Sequence, residues 1–333
     1  MRLDWKVVAG VLISIGFIFY AVAHVDFIQV RNTFAGASYF WTIPMIATVI
    51  ISMWIRAVRW RMLLLPLKEL KLGTLYSSVM IGFMANNLLP ARIGEVVRAV
   101  SLSQKHNLSR ASVFATVVAE RAFDSLGLLI VFLITLIFVN YPAHLRQAGV
   151  AILFISVLAL VFLFLLKTKT DAAVRFICGP IGIFSIVMSA RAETLLRKFS
   201  VGLTMLTDPR LIICVLLYSI LLWAFSGISG YLIFLAFDLK PQLWAAFIVL
   251  FVTALAVSLP SSPGYIGTFH GACIIAFNLI NSLGMFDHGV SKSVALSYSI
   301  ILWSCQFFPV TMIGLFYLKK EHLRFKDFRK KSI

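Results

Sequence analysis

The stretch NNLLPARIGEVVRA, residues 86–99, decides the reading of this chain. Two asparagines, a proline, two arginines, a glycine and a glutamate crowd into a sequence otherwise built of long apolar runs. The chain has 333 residues, 61% of them hydrophobic and 13% charged, against about 25% charged in an ordinary soluble domain. Apolar runs near 6–25, 40–57, 111–139, 147–166, 211–237 and 293–318 reach or approach the ~20 residues that span a bilayer. The first run has no small-residue cleavage site and many apolar runs follow it, so it reads as a retained helix, not a signal peptide. The expected fold is all-α, a polytopic integral membrane protein, with residues 1–333 forming a single transmembrane domain of about six spanning helices. Inside that frame, a polar break must be explained by what it does at membrane depth.

Charge placement supplies the topology. The net charge is +17, and the basic residues form blocks at Arg56–Lys71, Lys167–Lys198 and Lys319–Lys331. In membrane proteins such blocks mark cytoplasmic loops and adhere to anionic lipid, so nucleic acid is not an expected partner. Both termini are then expected in the cytoplasm of a cell-membrane protein, with the loop 26–38 outside. Basic residues flank the segment 74–104 on both sides, so a single crossing would leave one basic loop on the wrong face. A re-entrant hairpin fits instead, with the break at its tip. The count through the later runs requires 243–283 to begin and end outside, as a second hairpin entering from the opposite face. That segment is broken by LPSSPGYIGTFHGA, residues 259–272, and its PGYIG repeats the Pro-x-x-Ile-Gly of PARIG at 90–94. Paired broken segments in opposed halves point to a transporter's binding site. The expected inverted-repeat halves are about 40–139 and 211–318. The stretch 184–206, within a cytoplasmic loop 167–210, reads either as an amphipathic interfacial helix or as a soluble helical linker.

Pro90 and Pro263 are expected to start the second arm of each hairpin, because proline tolerates a helix's first turn. Free N–H groups at those helix N-termini would favour an anion. Ser261 and Ser262 are candidate caps and donors, and Asn86 and Asn87 candidates to satisfy the opened backbone. Gly264 and Gly267 would permit close approach at the second tip, and Gly94 is a further candidate site residue of the first. Arg92, Glu95 and Arg98 recur at helical spacing, so they share a face. Arg92 suits a phosphate through its planar fork; the other reading pairs Arg92 and Arg98 with Glu95 as struts. Arg98 is expected nearer the interface. VVAERAFDSLGLL, residues 117–129, adds Glu120 and Asp124 four apart with Arg121 between. These carboxylates would neutralise hairpin arginines, or relay protons. Arg56, Arg59 and Arg61 with Trp54 and Trp60 read as membrane anchors or headgroup collectors. Tyr265 and His270 follow the second break; a lone histidine is commonly a hydrogen-bonded structural group, although it can titrate. The four cysteines are scattered without metal or redox spacing, and no cofactor or metal is expected. No nucleophile–base pair or nucleotide loop appears, so the chain reads as a non-enzyme.

Taken together, the three quoted stretches resemble the lysylphosphatidylglycerol synthase transmembrane family, a flippase-like integral membrane family, over nearly the whole chain. In bifunctional members of that family, the membrane region is linked to moving aminoacylated phospholipid between leaflets, and a cytosolic synthase domain makes the lipid. This chain ends at Ile333 after a basic tail, so the resemblance implies a stand-alone member without the synthase domain. It implies a flippase-like transporter of an anionic or phosphate-bearing lipid: a phospholipid, an aminoacyl-phospholipid or a polyprenyl-phosphate-linked lipid. Alternatives are a membrane-embedded lipid-modifying enzyme and an accessory subunit of an envelope-lipid synthase. The implied partners are anionic membrane lipids and a lipid synthase.

Overall fold

The computed structural model describes residues 5–23, 25–89, 93–258 and 261–321. Pro90 and Arg92 lie outside the described residues. Among the described residues the chain is helical and holds no strand. The elements are α1 (Trp5–Val22), α2 (Phe27–Gly36), α3 (Thr42–Leu64), α4 (Leu72–Leu88), α5 (Gly94–His106), α6 (Arg110–Thr135) and α7 (Ala143–Thr168). They are followed by α8 (Thr170–Phe184), α9 (Ile186–Gly202), α10 (Pro209–Ala236), α11 (Trp244–Ser258), α12 (Thr268–Ser282) and α13 (Lys292–Lys320).

By length and composition, Tyr39–Leu64, Leu145–Thr168, Pro209–Ala236, Pro263–Ser282 and Lys292–Lys320 can cross a bilayer, and α1 with α2 forms a bent sixth candidate. Five of the six expected runs fall on these candidates; 111–139 forms α6, which is not among them, whereas Pro263–Ser282, expected as part of a hairpin, is, and 26–38 is not a loop. Asp26 accepts hydrogen bonds from the backbone N–H groups of Ile28 and Gln29 and so starts α2, a cap that satisfies two donors with no helical partner. Asp208 caps α10 in the same way, with Pro209 in the first turn. The loop 167–210 is largely helical too, folded as the α8–α9 hairpin.

Both polar breaks separate paired helices, α4 from α5 and α11 from α12. Leu89 ends α4 in an extended conformation, φ −110° and ψ 145°, as the residue before a proline prefers. The second break does not resume its helix at Pro263, as the sequence suggested. Pro263–Tyr265 forms a short 3-10 turn, and α12 begins only at Thr268. Three residues with positive φ delay it: Gly264 (67°), Tyr265 (60°) and Gly267 (86°). Such a backbone cannot propagate a right-handed helix.

Hydrogen bonds define two polar ends. At one, Lys68 Nζ donates to the His106 carbonyl at 3.2 Å, Lys105 pairs with Glu321 at 3.0 Å, and Ser112 Oγ donates to the Lys198 carbonyl at 2.6 Å. This end gathers the basic loops. At the other, Ser38 N–H donates to the Ala236 carbonyl at 2.7 Å, and Asp26 N–H to Ser293 Oγ at 3.0 Å. The α4–α5 hairpin therefore starts and finishes at the basic end. The helix–hairpin–helix order α3–α4–α5–α6 recurs as α10–α11–α12–α13, with α3 packed on α10 and α13 packed on α4.

Candidate functional site

The site grows from two helical spacings. Arg56 and Arg59 are three apart on α3, and Glu120 and Asp124 are four apart on α6, so each pair shares a face. Where α3, α5, α6 and α10 meet, these faces close on one another. Arg59 donates through Nη2 to Glu120 Oε1 at 2.8 Å and through Nη1 to Ser219 Oγ at 2.7 Å, and it also binds Asp124 Oδ1. Arg98 donates to Glu120 Oε2 at 2.7 Å and lies 4.4 Å above the Trp60 ring. Trp60 in turn donates to Thr116 Oγ1 at 3.0 Å. Arg59, Trp60 and Glu120 are completely buried, and Arg98 is 1% exposed. Arg98, Arg59 and Trp60 thus face the interior of the bundle, not headgroups at its surface. Burying a carboxylate or guanidinium unpaired is prohibitively costly, so each is held by opposite charge and hydrogen bonds.

A second tier faces outward from this core. Arg121 lies 3.0 Å from Glu95 and 3.3 Å from Asp124. Arg56 lies 3.6 Å from Asp124 and 5.1 Å from the Phe83 ring. Arg98 thus pairs with Glu120, not with Glu95, and Glu95 finds Arg121. Among the described residues the cluster joins Arg56, Arg59, Arg98 and Arg121 to Glu95, Glu120 and Asp124, leaving one surplus positive charge. Arg56 is the arginine held most loosely, with its one ion pair among the described residues at 3.6 Å while each of the others has one at 3.0 Å or less.

Arg56, Arg121 and Glu95 form the charged wall of a cavity of about 360 Å³, within the size range of small-molecule sites. Both breaks contribute to it, through Asn86 and Asn87 on one side and Ser258, Gly264 and Tyr265 on the other. Trp223, Trp303 and Phe307 supply an aromatic wall, and Gln306 lies among them. Residues flanking the breaks are tied by hydrogen bonds. Asn86 Oδ1 accepts from Gly94 N–H at 2.8 Å, satisfying the start of α5 as expected. Asn87 instead reaches α13, donating to Thr311 Oγ1 at 2.9 Å. Trp303 Nε1, also on α13, donates to the Gly264 carbonyl at 2.7 Å. A Cβ on Gly264 would stand 3.3 Å from the Asn87 carbonyl, so the two breaks approach closely. Helix α13 anchors both.

The expected site residues divide accordingly. Asn86, Asn87, Glu95, Arg121, Gly264 and Tyr265 line the cavity; Arg98, Glu120 and Asp124 lie behind its charged wall. Gly94, Ser261, Ser262, Pro263, Gly267 and His270 are not in the lining. Ser262 does not cap a helix: its Oγ donates to the Ile266 carbonyl at 2.9 Å, and its N–H donates to Ser14 Oγ of α1 at 2.8 Å. His270 packs 5.7 Å from Trp303 between ring centroids. Trp223, Trp303 and Gln306 were missed as lining residues, and Arg56 was read only as a membrane anchor or headgroup collector. Arg56 carried a signal, since two arginines three apart toward the end of an apolar run can face a bundle interior as well as the headgroups. Among the described residues, no three His, Cys, Asp or Glu side chains group as metal ligands.

Comparison with known proteins places this architecture. No solved structure matches the chain significantly. A UPF0104 membrane protein of Methanothermobacter thermautotrophicus is 26% identical over 255 residues, 72% of this chain and 73% of that protein. Its counterpart in Methanocaldococcus jannaschii is 24% identical over 252 residues, 72% of this chain and 95% of that one. Another from Pyrococcus horikoshii is 26% identical over 284 residues, covering 79% and 82% respectively. The family model for the lysylphosphatidylglycerol synthase TM region matches residues 7–314, and this integral membrane protein belongs to that family.

Proposed function

We propose that this chain moves a lipid with a phosphate-bearing headgroup between the leaflets of the cell membrane, through the cavity between the two hairpin breaks. The observation that carries this reading is the surplus positive charge presented to the cavity by Arg56, whose nearest carboxylate among the described residues is Asp124 at 3.6 Å. A charge held at membrane depth normally faces a partner or a functional cavity. A guanidinium is suited to phosphate because its planar fork makes two charge-assisted hydrogen bonds. The headgroup would occupy the polar wall beside Arg56 and Arg121, with the acyl or prenyl tails left in lipid. In this reading the halves about 40–139 and 211–318 are an inverted repeat, and alternating access rocks one against the other around the fixed site.

The test is phospholipid translocation in reconstituted liposomes, read by a membrane-impermeant quencher of a headgroup-labelled lipid. Losing a charge-assisted hydrogen bond costs about 1.5–3 kcal/mol, so Arg56→Ala is expected to slow translocation by about ten- to a hundredfold. Arg56→Lys keeps the charge without the fork and should fall between. Wild-type translocation by a folded Arg56→Ala protein would overturn the assignment.

A further inference from the structure

The α8–α9 hairpin stands apart from the cavity. Its base is closed by Thr170 Oγ1 and Ser200 Oγ, 2.7 Å apart, and is tied to the bundle by Ser112 Oγ of α6, which donates to the Lys198 carbonyl at 2.6 Å. Ser189 Oγ donates to the Cys178 carbonyl at 2.9 Å and clips the two helices together nearer the tip. From that base the helices extend about 20–25 Å at ~1.5 Å per residue.

Polarity is graded along the hairpin. No charged residue occurs from 176 to 190. Over that stretch Phe176, Ile183, Phe184 and Ile186 are 81–90% exposed, with Val187 and Met188 above 60%. Nearer the base, Arg197 is paired with Asp171 at 2.7 Å and Glu193 at 2.8 Å. Lys169, Arg175, Arg191 and Lys198 are exposed, and none has a carboxylate partner among the described residues. Five of these large apolar side chains, Ile183, Phe184, Ile186, Val187 and Met188, stand exposed at the tip, an arrangement that soluble surfaces avoid. The apolar phase within reach is the bilayer that the neighbouring helices span.

We propose that the α8–α9 hairpin is a monotopic anchor: its tip is inserted in the leaflet at the basic end, with Lys169, Arg175, Arg191 and Lys198 holding anionic headgroups around it. Long basic side chains can lie along apolar surface while their charges reach the headgroup layer. A cluster of such charges makes binding selective for anionic lipid. This interaction surface is independent of the transport reading, since no cavity residue takes part.

The unaltered protein in phosphatidylcholine vesicles, with and without phosphatidylglycerol, is the material for the test. A membrane-confined photoactivated diazirine should label peptides covering 176–188, while hydroxyl radicals generated in water should leave them unmodified. A fluorophore on Phe184→Cys, with the four native cysteines replaced, should be quenched by lipid-borne nitroxide and shielded from iodide. Phosphatidylglycerol should strengthen the nitroxide quenching, and the double variant R175Q/R191Q should lose that increment. Radical modification of 176–188 without diazirine labelling would overturn the proposal and make the tip a docking surface for a soluble partner. Insertion indifferent to phosphatidylglycerol in the parent would overturn its electrostatic half.

Discussion

Glu120 shows how far a single residue can be read from sequence. Its place beside Arg121 and Asp124 announced a polar knot, and the expectation that these carboxylates neutralise hairpin arginines is met by Arg98 at 2.7 Å. Its other partner, Arg59, lies 61 positions away on α3, and no local pattern links the two. The same gap explains why the burial of Arg98 was not legible: it depends on Trp60 and Glu120 arriving from other helices. Residue roles and stability separate here. Glu120→Gln leaves two buried guanidinium groups without their shared charge, and breaking such a pair costs about 3–5 kcal/mol. We expect it to lower the thermal unfolding temperature in detergent sharply, well beyond the effect of Arg56→Ala. Arg56 has a carboxylate only at 3.6 Å and opens on the cavity, so its replacement should spare folding while slowing translocation. Equal destabilisation by the two variants would show that Arg56 is a strut like Arg59.

At the scale of elements, both breaks were legible because proline, glycine and polar residues cannot continue an apolar helix unaided. The geometry of each break was less legible. Pro-x-x-Ile-Gly occurs twice, yet the second copy passes through three positive-φ residues before its helix begins. Those conformations are supported by contacts remote in sequence, including Trp303 on the Gly264 carbonyl and Ser14 on Ser262 N–H. Glycines on α4 and α5 give a graded test. A Cβ on Gly94 would run into the Gly82 carbonyl and lie 2.5 Å from Asn86 Oδ1, whereas a Cβ on Gly73 would meet nothing within 4 Å. Gly73→Ala should therefore be neutral or stabilising by up to about 1 kcal/mol, following helix propensity. Gly94→Ala must spread the α4–α5 arms and displace the Asn86 cap, so we expect a loss of about 1–3 kcal/mol, as for overpacking elsewhere. Unfolding midpoints for the two variants check the contrast; a Gly94→Ala protein as stable as Gly73→Ala would mean that the arms are not closely packed at the break.

For the whole molecule, charge placement anticipated which loops share an end, because the positive-inside bias acts on segments far apart in sequence. The structure supports that grouping through contacts that owe nothing to the bias. Lys68 reaches His106 across the mouth of the first hairpin, and Ser38 reaches Ala236 at the opposite end. The bias missed the α8–α9 fold, since net charge says nothing about where helices within a loop pack. Which end faces the cytoplasm rests on the basic blocks alone, and it can be tested separately from the grouping. Lys71→Cys and Gln104→Cys mark the two mouths of the α4–α5 hairpin, and both native residues are exposed. Lys240→Cys and Asp287→Cys mark the mouths of the α11–α12 hairpin and are likewise exposed. In intact cells, an impermeant maleimide should label the second pair and spare the first; in inverted membrane vesicles the pattern should reverse. If the members of one pair label from different sides, that hairpin crosses the bilayer and the shared site between two re-entrant tips is lost. If both pairs keep their grouping but exchange faces, the hairpins stand and the charge bias alone is overruled; lipid would then meet the Arg56 wall from the other leaflet.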